Sequence, residues 1–179
     1  MKNAWKFLVP LVLFVGLLTL FYVSLDRDKE TLPSPLMGKA APTFTLPSLS
    51  DAAVKISNSD FTGKPWVLNV WGTWCPGCLQ EHAALLQIAK RGEVPIVGMS
   101  WNDDAARAAF YLKKKGNPYT FAGIDPDGLI AIDWGVYGAP ETFLVGADGK
   151  VLYKHISPLT VEVWEKEFLP RLRPRGGGE

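Results

Sequence analysis

The sequence predicts an α/β fold in which helices flank a mixed central sheet, with a transmembrane helix in front of it. Residues 66–71 are an almost unbroken apolar, β-prone run, and a helical pattern follows within a few residues, which is typical of a buried strand and its crossover helix. Strand and helix patterns alternate up to residue 134, after which two strand patterns are separated only by a short turn. The first half therefore requires a parallel crossover and the second half an antiparallel pair.

Length and charge restrict the classes of function. The chain has 179 residues, enough for one domain and an appendage, and its 19 basic and 18 acidic side chains give a formal net charge of +1. This balance gives no indication of a nucleic-acid partner, and none is expected.

The appendage is the N-terminal apolar segment. Residues 7–25 contain no charged side chain, while Lys2 and Lys6 precede them and a charged run follows. The segment exceeds the apolar region of a signal peptide, and no Ala-x-Ala-like cleavage site follows it. We therefore expect an uncleaved anchor, with a late-cleaved signal peptide as the alternative. The positive flank predicts that residues 1–6 are cytoplasmic and that the catalytic domain lies on the other side of the membrane.

Residues 26–37 are predicted to be a linker, charged at first and then semi-rigid because of its prolines. The catalytic domain is predicted over residues 38–173, and the glycine-rich residues 174–179 are predicted to be a disordered tail. Alternating side chains in Ala41–Pro47 predict a short edge strand, and residues 53–56 are expected to pair either with it or with a neighbouring strand. One short helical turn is expected to follow at residues 58–61.

Periodicity and turn residues predict the other elements. In the helix after the first buried strand, Leu79, Ala83 and Leu86 are spaced to share one face, and Gly92 ends the pattern. Further strands are predicted at residues 94–100, 121–124, 141–145 and 151–156, and further helices at residues 102–115, at residues 129–134 and after Thr160, with Trp164 and Phe168 on one face of the last helix.

Cys75 and Cys78 lie where the first buried strand ends and the helix begins. The first turn of a helix has unpaired amide groups and a positive dipole end, which stabilise a thiolate. Cys75 is therefore predicted to ionise easily and act as a nucleophile, and Cys78, one turn further on, to close a disulfide with it. Pro76 suits the first turn because its missing amide hydrogen would have no partner there.

Other roles of the cysteine pair fit less well. A disulfide across so short a loop adds little stability as a staple. A zinc site is incomplete, because the chain has two cysteines and two histidines and no second pair with ligand spacing. A haem-attachment motif requires a histidine where Leu79 stands. The predicted role is redox exchange, and neither a metal nor another cofactor is expected.

The predicted order of strands and helices is that of the thioredoxin fold. Three stretches then resemble the CcmG/DsbE family, the membrane-anchored, thioredoxin-like thiol:disulfide interchange proteins of cytochrome c maturation. They are residues 68–78 with Glu81 and His82 after them, residues 116–119 (Gly-Asn-Pro-Tyr) and residues 135–143 (Gly-Val-Tyr-Gly-Ala-Pro-Glu-Thr-Phe). The resemblance covers nearly the whole chain from residue 38 to residue 170.

This resemblance implies a site. It implies that Pro140 follows a cis peptide bond, that its loop packs against the cysteines, and that the segment containing Tyr137 and Ala139 binds an extended substrate peptide. Trp74 and Pro76, on either side of the first cysteine, are expected to contribute to the same substrate-binding surface, with ordinary core packing as the alternative for Trp74.

The resemblance also implies partners and a location. The expected substrate is the CxxCH disulfide of apocytochrome c, or a maturation-complex thiol protein, which is reduced before haem is attached. A membrane electron donor of the DsbD/CcdA type is expected to regenerate the reduced protein. The protein is expected in the bacterial inner membrane, crossing it once, with its catalytic domain in the periplasm.

Two positions depart from familiar patterns. Gly77 stands where relatives often carry Thr or Ser, and the residues between the cysteines influence the reduction potential. Asn69 stands where cytoplasmic thioredoxins have a buried aspartate that accepts a proton, so another carboxylate is needed. Glu141, next to Pro140, is the preferred catalytic candidate, and Glu81 is the alternative. The spacing of Glu81 fits an exposed helix side chain equally well, and His82 is expected to serve in packing.

Three rival functions stay open. A general periplasmic disulfide reductase of the same fold would differ only in peptide specificity. A copper metallochaperone would hold Cu(I) between the cysteines, although no Met or His cluster accompanies them. A peroxiredoxin-type peroxidase is suggested by residues 41–46, but it would need a threonine three residues before its cysteine, where this chain has Gly72.

Overall fold

The protein is represented by a computed structural model that describes residues 5–25 and 35–172. Most of the predicted cytoplasmic segment, most of the predicted linker and the whole of the predicted tail at residues 174–179 lie outside the described residues. The described parts belong to two separate units, an N-terminal helix and an α/β domain.

The first unit contains a single described helix, α1 (Trp5–Leu25). Its stretch Trp5–Tyr22 has a mean hydropathy of 1.9 over 18 residues, so it is long and apolar enough to cross a membrane. Pro10 lies inside α1, a position that membrane helices tolerate. The helix is therefore a candidate membrane span, as the sequence predicts.

A five-stranded mixed sheet forms the centre of the second unit. Its central strand, β3 (Trp66–Trp71), pairs in parallel with β4 (Ile96–Trp101) and antiparallel with β6 (Glu141–Val145). The outer strands are β5 (Phe121–Asp125), parallel to β4, and β7 (Val151–Ile156), antiparallel to β6. The strand order β5-β4-β3-β6-β7 confirms the predicted thioredoxin-like combination of a parallel half and an antiparallel half.

A small antiparallel pair precedes this sheet and consists of β1 (Thr45–Pro47) and β2 (Lys55–Ser57). The strand predicted over Ala41–Pro47 is therefore too long at its start. Pro42 has no amide hydrogen, and the Phe44 amide lies 3.4 Å from the Asn58 side-chain oxygen that accepts its hydrogen bond, so this part of the chain does not join a strand ladder. The short helical turn that was predicted next lies at Asn58–Phe61.

Helices cover both faces of the sheet. They are α2 (Pro76–Arg91), α3 (Ala105–Lys115), α4 (Leu129–Asp133) and a C-terminal helix made of α5 (Val161–Val163), a π-helical segment (Trp164–Phe168) and α6 (Leu169–Leu172). The Asp104 carboxylate caps α3, and the Thr160 hydroxyl caps α5. Gly92 ends α2 in the left-handed conformation, with a φ of 64°.

The strands divide the core into two clusters. Because successive side chains of a strand point to opposite faces, Val67 and Trp71 of β3 pack with Leu85 and Ile88 of α2, whereas the alternate residues of β3 pack on the other side of the sheet around Trp134. The cluster on the α2 side also contains both cysteines. The site is thus built on one face of the central strand and one helix.

The buried face of α2 is not the one that the spacing predicted. Leu79 has 45% of its surface exposed, and Ala83 is also exposed. The helix instead buries Cys78, Glu81, His82, Leu85 and Ile88. Glu81 and His82 are the polar members of this buried face, and their hydrogen-bond partners, Leu159 and Gly116, lie outside α2. The hydrophobic pattern alone therefore indicates the wrong face.

Candidate active site

The two cysteines form a disulfide at the junction of β3 and α2. Cys75 is the N-cap residue of α2, and its Sγ accepts a hydrogen bond from the Cys78 amide at 3.1 Å. Pro76 occupies the first turn, as predicted. The amide donor and the positive end of the helix dipole stabilise a thiolate on Cys75 once the disulfide is reduced.

Large apolar side chains are exposed next to the disulfide and in the loop before Pro140. Trp74 has 47% of its surface exposed, and Tyr137 has 65%. The Trp74 indole donates a hydrogen bond to the Trp101 carbonyl at 3.0 Å, and the two indole rings meet edge to face. Trp74 is therefore a fixed surface residue and not part of the core, which suits the substrate-binding role predicted for it.

The loop that ends at Pro140 lies against the turn between the cysteines. The Ala139–Pro140 peptide bond is cis, as the resemblance implies. Ala139 packs against the core cluster that contains both cysteines. A Cβ atom added at Gly77 would lie 2.9 Å from Pro140 Cδ and 3.3 Å from Pro158 Cγ, so the two prolines approach the Gly77 backbone closely.

A buried ion pair holds this loop from behind. The Lys154 Nζ lies 2.9 Å from Glu141 Oε2, and both side chains are buried. The same ammonium donates to the Gly135 carbonyl at 2.8 Å and lies 4.4 Å from the centre of the Tyr137 ring. Glu141 Oε1 accepts a hydrogen bond from the Tyr137 amide at 2.9 Å. The pair thereby fixes both the start and the middle of the segment that leads to Pro140.

Glu81 lies one turn after Cys78 on the buried face of α2, with only 2% of its surface exposed. Its Oε1 accepts a hydrogen bond from Asn69 Nδ2 at 2.9 Å, and its Oε2 accepts one from the Leu159 amide at 2.7 Å. Burial raises the pKa of Glu81 from 4.5 to about 7, and these two hydrogen bonds, which favour the charged form, limit the rise. A carboxyl group that titrates near neutral pH is suited to accept a proton from a thiol.

The two carboxylates considered as proton acceptors lie on opposite faces of the sheet. Asn69 is the register partner of Thr142, and both side chains point toward α2. Glu141 precedes Thr142 in β6, so it points away from α2 and toward Lys154. The catalytic role of Glu141 stays a prediction, and its carboxylate is already paired with the Lys154 ammonium. The sequence leaves Glu81 open between this role and an exposed position; its spacing of three residues from Cys78 is the signal that could have placed both side chains on one face of α2.

Comparisons with known proteins identify the family to which this chain belongs. The Redoxin family profile matches residues 36–168. The thiol:disulfide interchange protein DsbE of Allochromatium vinosum is 41% identical over 177 residues, which cover 99% of this chain and 98% of the relative. The chain belongs to the DsbE family. The DsbE of Escherichia coli K12 is also 41% identical, over 91% of each chain.

A solved structure supports the same assignment. A secreted Mycobacterium tuberculosis disulfide oxidoreductase, described as homologous to E. coli DsbE, superposes with a TM-score of 0.58 and 28% identity over 65% of this chain and 85% of that chain. Family membership, the thioredoxin-like fold and the CxxC disulfide together make this DsbE-family protein a thiol:disulfide oxidoreductase.

The structure also brings to the site a residue that the sequence assigned only to a helix start. Asp103 accepts hydrogen bonds from the Thr73 amide at 2.6 Å and the Thr73 hydroxyl at 2.8 Å, and Arg107 Nε lies 3.1 Å from it. Burial acts to raise the pKa of Asp103, but the hydrogen bonds from Thr73 and Asp104 and the charge of Arg107 outweigh it and lower the pKa. The ionised carboxylate thus ties down the loop before Cys75 in this DsbE-family site.

His82 has the packing role that was expected. Its Nε2 lies 3.1 Å from the Gly116 carbonyl, and its ring meets the Tyr111 ring edge to face at 5.1 Å. Within residues 5–25 and 35–172, no group of three or more His, Cys, Asp or Glu side chains is placed to hold a metal ion.

Proposed function

We propose that this protein is a reductant that opens the CxxCH disulfide of apocytochrome c, or the disulfide of a maturation-complex thiol protein, before haem attachment. One observation carries the proposal: a cysteine pair at a helix start has the cis-Pro140 loop packed against one side, and the buried Glu81 carboxyl lies one helical turn after its second cysteine. Membership of the DsbE family supports the choice of substrate.

In the first step, the Cys75 thiolate attacks one sulfur of the partner's disulfide. The partner's S–S bond breaks, a mixed disulfide forms between Cys75 and the partner, and the released partner thiolate takes a proton from solvent. The Cys78 amide and the start of α2 stabilise the attacking thiolate.

In the second step, the Cys78 thiol gives its proton to the Glu81 carboxylate, and the resulting thiolate attacks the Cys75 sulfur. The mixed disulfide breaks, the second partner thiol leaves after taking up a proton, and the Cys75–Cys78 disulfide forms. Two electrons pass to the partner in the whole sequence. A membrane electron donor of the DsbD/CcdA type would return the protein to its reduced form.

The substrate peptide is proposed to bind in extended form along the loop at Tyr137, Ala139 and Pro140. The exposed rings of Tyr137 and Trp74 offer apolar contacts, and the close approach of Pro140 to the turn at Gly77 brings that peptide next to Cys75. Pro76 is also exposed on this side of the turn.

The first experiment uses the full-length Cys78→Ser variant in detergent micelles to trap mixed disulfides. A peptide with an oxidised CxxCH motif is compared with a peptide of the same composition and loop size whose flanking residues, including the histidine, are scrambled. We expect the CxxCH peptide to be trapped at least about tenfold faster, a preference of roughly 1.4 kcal/mol. Equal trapping rates would contradict apocytochrome c as the substrate and favour the general disulfide reductase.

We also propose that α1 anchors the protein once in the bacterial inner membrane with the α/β domain in the periplasm. The hydropathy of α1 supports the anchor, and the positive charges of Lys2 and Lys6 at its amino-terminal end support this orientation. Protease added to spheroplasts should digest the α/β domain while the membrane is intact. Protection of that domain until the membrane is broken would overturn the orientation.

A further inference from the structure

The Gly-Asn-Pro-Tyr stretch at residues 116–119 takes no part in the proposed mechanism, yet its tyrosine contacts Asn69, the hydrogen-bond partner of Glu81. Tyr119 has 7% of its surface exposed and stacks on Trp71 with the ring centres 5.7 Å apart. Its ring lies directly over Gly98, where an added Cβ would be 2.5 Å from the ring. The Tyr119 hydroxyl donates a hydrogen bond to Asn69 Oδ1 at 2.8 Å.

The Asn69 amide has a hydrogen-bond partner at each end. Its Oδ1 accepts from Tyr119, while its Nδ2 donates to Glu81 Oε1 at 2.9 Å and to Thr142 Oγ1 at 3.0 Å. A flipped amide would turn Oδ1 toward the Glu81 carboxylate, so that two acceptors would face each other. It would also leave the Tyr119 hydroxyl proton without this acceptor in a buried place, which is costly.

We propose that Tyr119 is a positioning residue for the thiol–disulfide reaction: its hydroxyl holds the Asn69 amide in the orientation that presents a donor to the Glu81 carboxylate. The inference rests on the proposed function, in which Glu81 accepts the Cys78 proton. Tyr119 acts through Asn69 and not on the reacting sulfur atoms. These hydrogen bonds link Tyr119, in the segment after α3, through Asn69 of β3 to Glu81 of α2.

Tyr119 stays a neutral donor through the working pH range. Burial raises the pKa of Tyr119 well above its ordinary value of 10.0, and the negative charge of Glu81 and the nearby Tyr111 act in the same direction. The other titratable groups around this face are Cys78 and His82 on α2, Tyr111 on α3, and His155, whose Nε2 lies 2.8 Å from Ser157 Oγ and which is the register partner of Thr142. The Lys154–Glu141 pair lies on the opposite face of the sheet.

The test compares Tyr119→Phe with the matched control Tyr111→Phe in the full-length chain in detergent micelles. Tyr111 also packs against Trp71, at 5.9 Å, so its variant loses a hydroxyl from a neighbouring ring. The measurement is the pH profile of the resolving step, in which Cys78 releases an oxidised CxxCH peptide, followed in single turnovers. We expect Tyr119→Phe to move the Glu81 midpoint upward by about one pH unit, the size expected for one weakened hydrogen bond to a charged group. Tyr111→Phe should leave the midpoint in place.

Two further variants decide the interpretation. Asn69→Leu removes the donor itself and must raise the midpoint at least as far as Tyr119→Phe does; in the Asn69→Leu background the tyrosine change should have no further effect. An unchanged or lowered midpoint in Tyr119→Phe, or a smaller shift in Asn69→Leu, would overturn the inference. Glu81→Gln separates the positioning role of Tyr119 from the proposed function. If the pH midpoint of the resolving step persists in Glu81→Gln, Glu81 is not the proton acceptor. If the midpoint disappears in Glu81→Gln while Tyr119→Phe does not shift it, only the positioning role is wrong.

Discussion

Glu81 has a buried carboxyl group whose protonation depends on whether the protein is folded. In the unfolded chain its pKa is near 4.5, and burial raises the pKa to about 7 in the folded, oxidised protein. The folded state therefore binds more protons than the unfolded state between these two values. Stability must fall as pH rises through this window, which is the opposite of the trend for a carboxylate in a salt bridge.

The predicted size of this fall is on the order of 3 kcal/mol between pH 4.5 and pH 7. Urea unfolding of the oxidised, full-length protein at pH 5 and pH 8 measures it. Glu81→Gln should remove this part of the pH dependence, because the amide does not titrate. If the wild type and Glu81→Gln have the same slope of stability against pH, the carboxyl group is not buried in the way described.

Gly77 is the second residue with a specific consequence, because Pro140 and Pro158 approach its backbone closely in this chain. Gly77→Ala would put a methyl carbon 2.9 Å from Pro140 Cδ, so the loop or the turn must move. We expect a stability loss of roughly 1–3 kcal/mol and a trapping rate for the CxxCH peptide that falls by about tenfold or more. An unchanged trapping rate in Gly77→Ala would show that the close approach is irrelevant to the reaction.

At the scale of elements, Asp103 joins two loops. It follows β4, and its carboxylate binds Thr73 in the loop between β3 and α2. Both loops lie at the carboxyl ends of neighbouring parallel strands, where α/β folds place their sites. The position of Cys75 therefore depends on a residue about thirty positions away in the chain.

Asp103→Asn should weaken this connection, because a neutral amide replaces a charged acceptor of several hydrogen bonds. We expect a stability loss of about 1–2 kcal/mol and slower alkylation of reduced Cys75 by iodoacetamide. Asp104→Asn is the matched control: Asp104 caps α3, and asparagine caps a helix about as well as aspartate. Equal effects of the two substitutions would contradict the role of Asp103.

The Lys154–Glu141 pair connects β7 to the start of β6 and to the loop before it. Lys154→Met would leave the Glu141 charge buried without its partner, which we expect to cost about 3–5 kcal/mol in urea unfolding. Adding Glu141→Gln should recover much of that loss. Lys150→Met, which removes an exposed partner of Asp148, serves as the control and should change stability by less than about 1 kcal/mol. Similar losses in Lys154→Met and Lys150→Met would refute the ion pair's role.

For the whole molecule, the sequence was enough to predict the order of elements and the place of the cysteines. These features depend on local signals: apolar runs for β3 and β4, the CxxC motif at a helix start and capping residues such as Thr160. The length of β1 and the buried face of α2 were predicted wrongly. Both depend on bonds to distant residues, such as the one from the Leu159 amide to Glu81, which joins positions 78 apart in the chain.

Local patterns also predict only part of the candidate site. The cysteines and Pro140 belong to motifs that sequence reading recognises, and the structure brings them together. The contacts of Asp103 with Thr73 and of Tyr119 with Asn69 join residues that no local pattern relates. Whether a buried carboxylate is paired, as Glu141 is by Lys154, follows from the register of the strands, which local patterns leave open.

The most direct test of the central claim is the reduction potential of the Cys75–Cys78 disulfide in the full-length protein, equilibrated against glutathione in detergent micelles. A reductant of periplasmic disulfides should have a potential at or below roughly −180 mV, the value of protein disulfide isomerase. A potential near the roughly −120 mV of DsbA would contradict the account, because the protein would then oxidise the thiols of its partners.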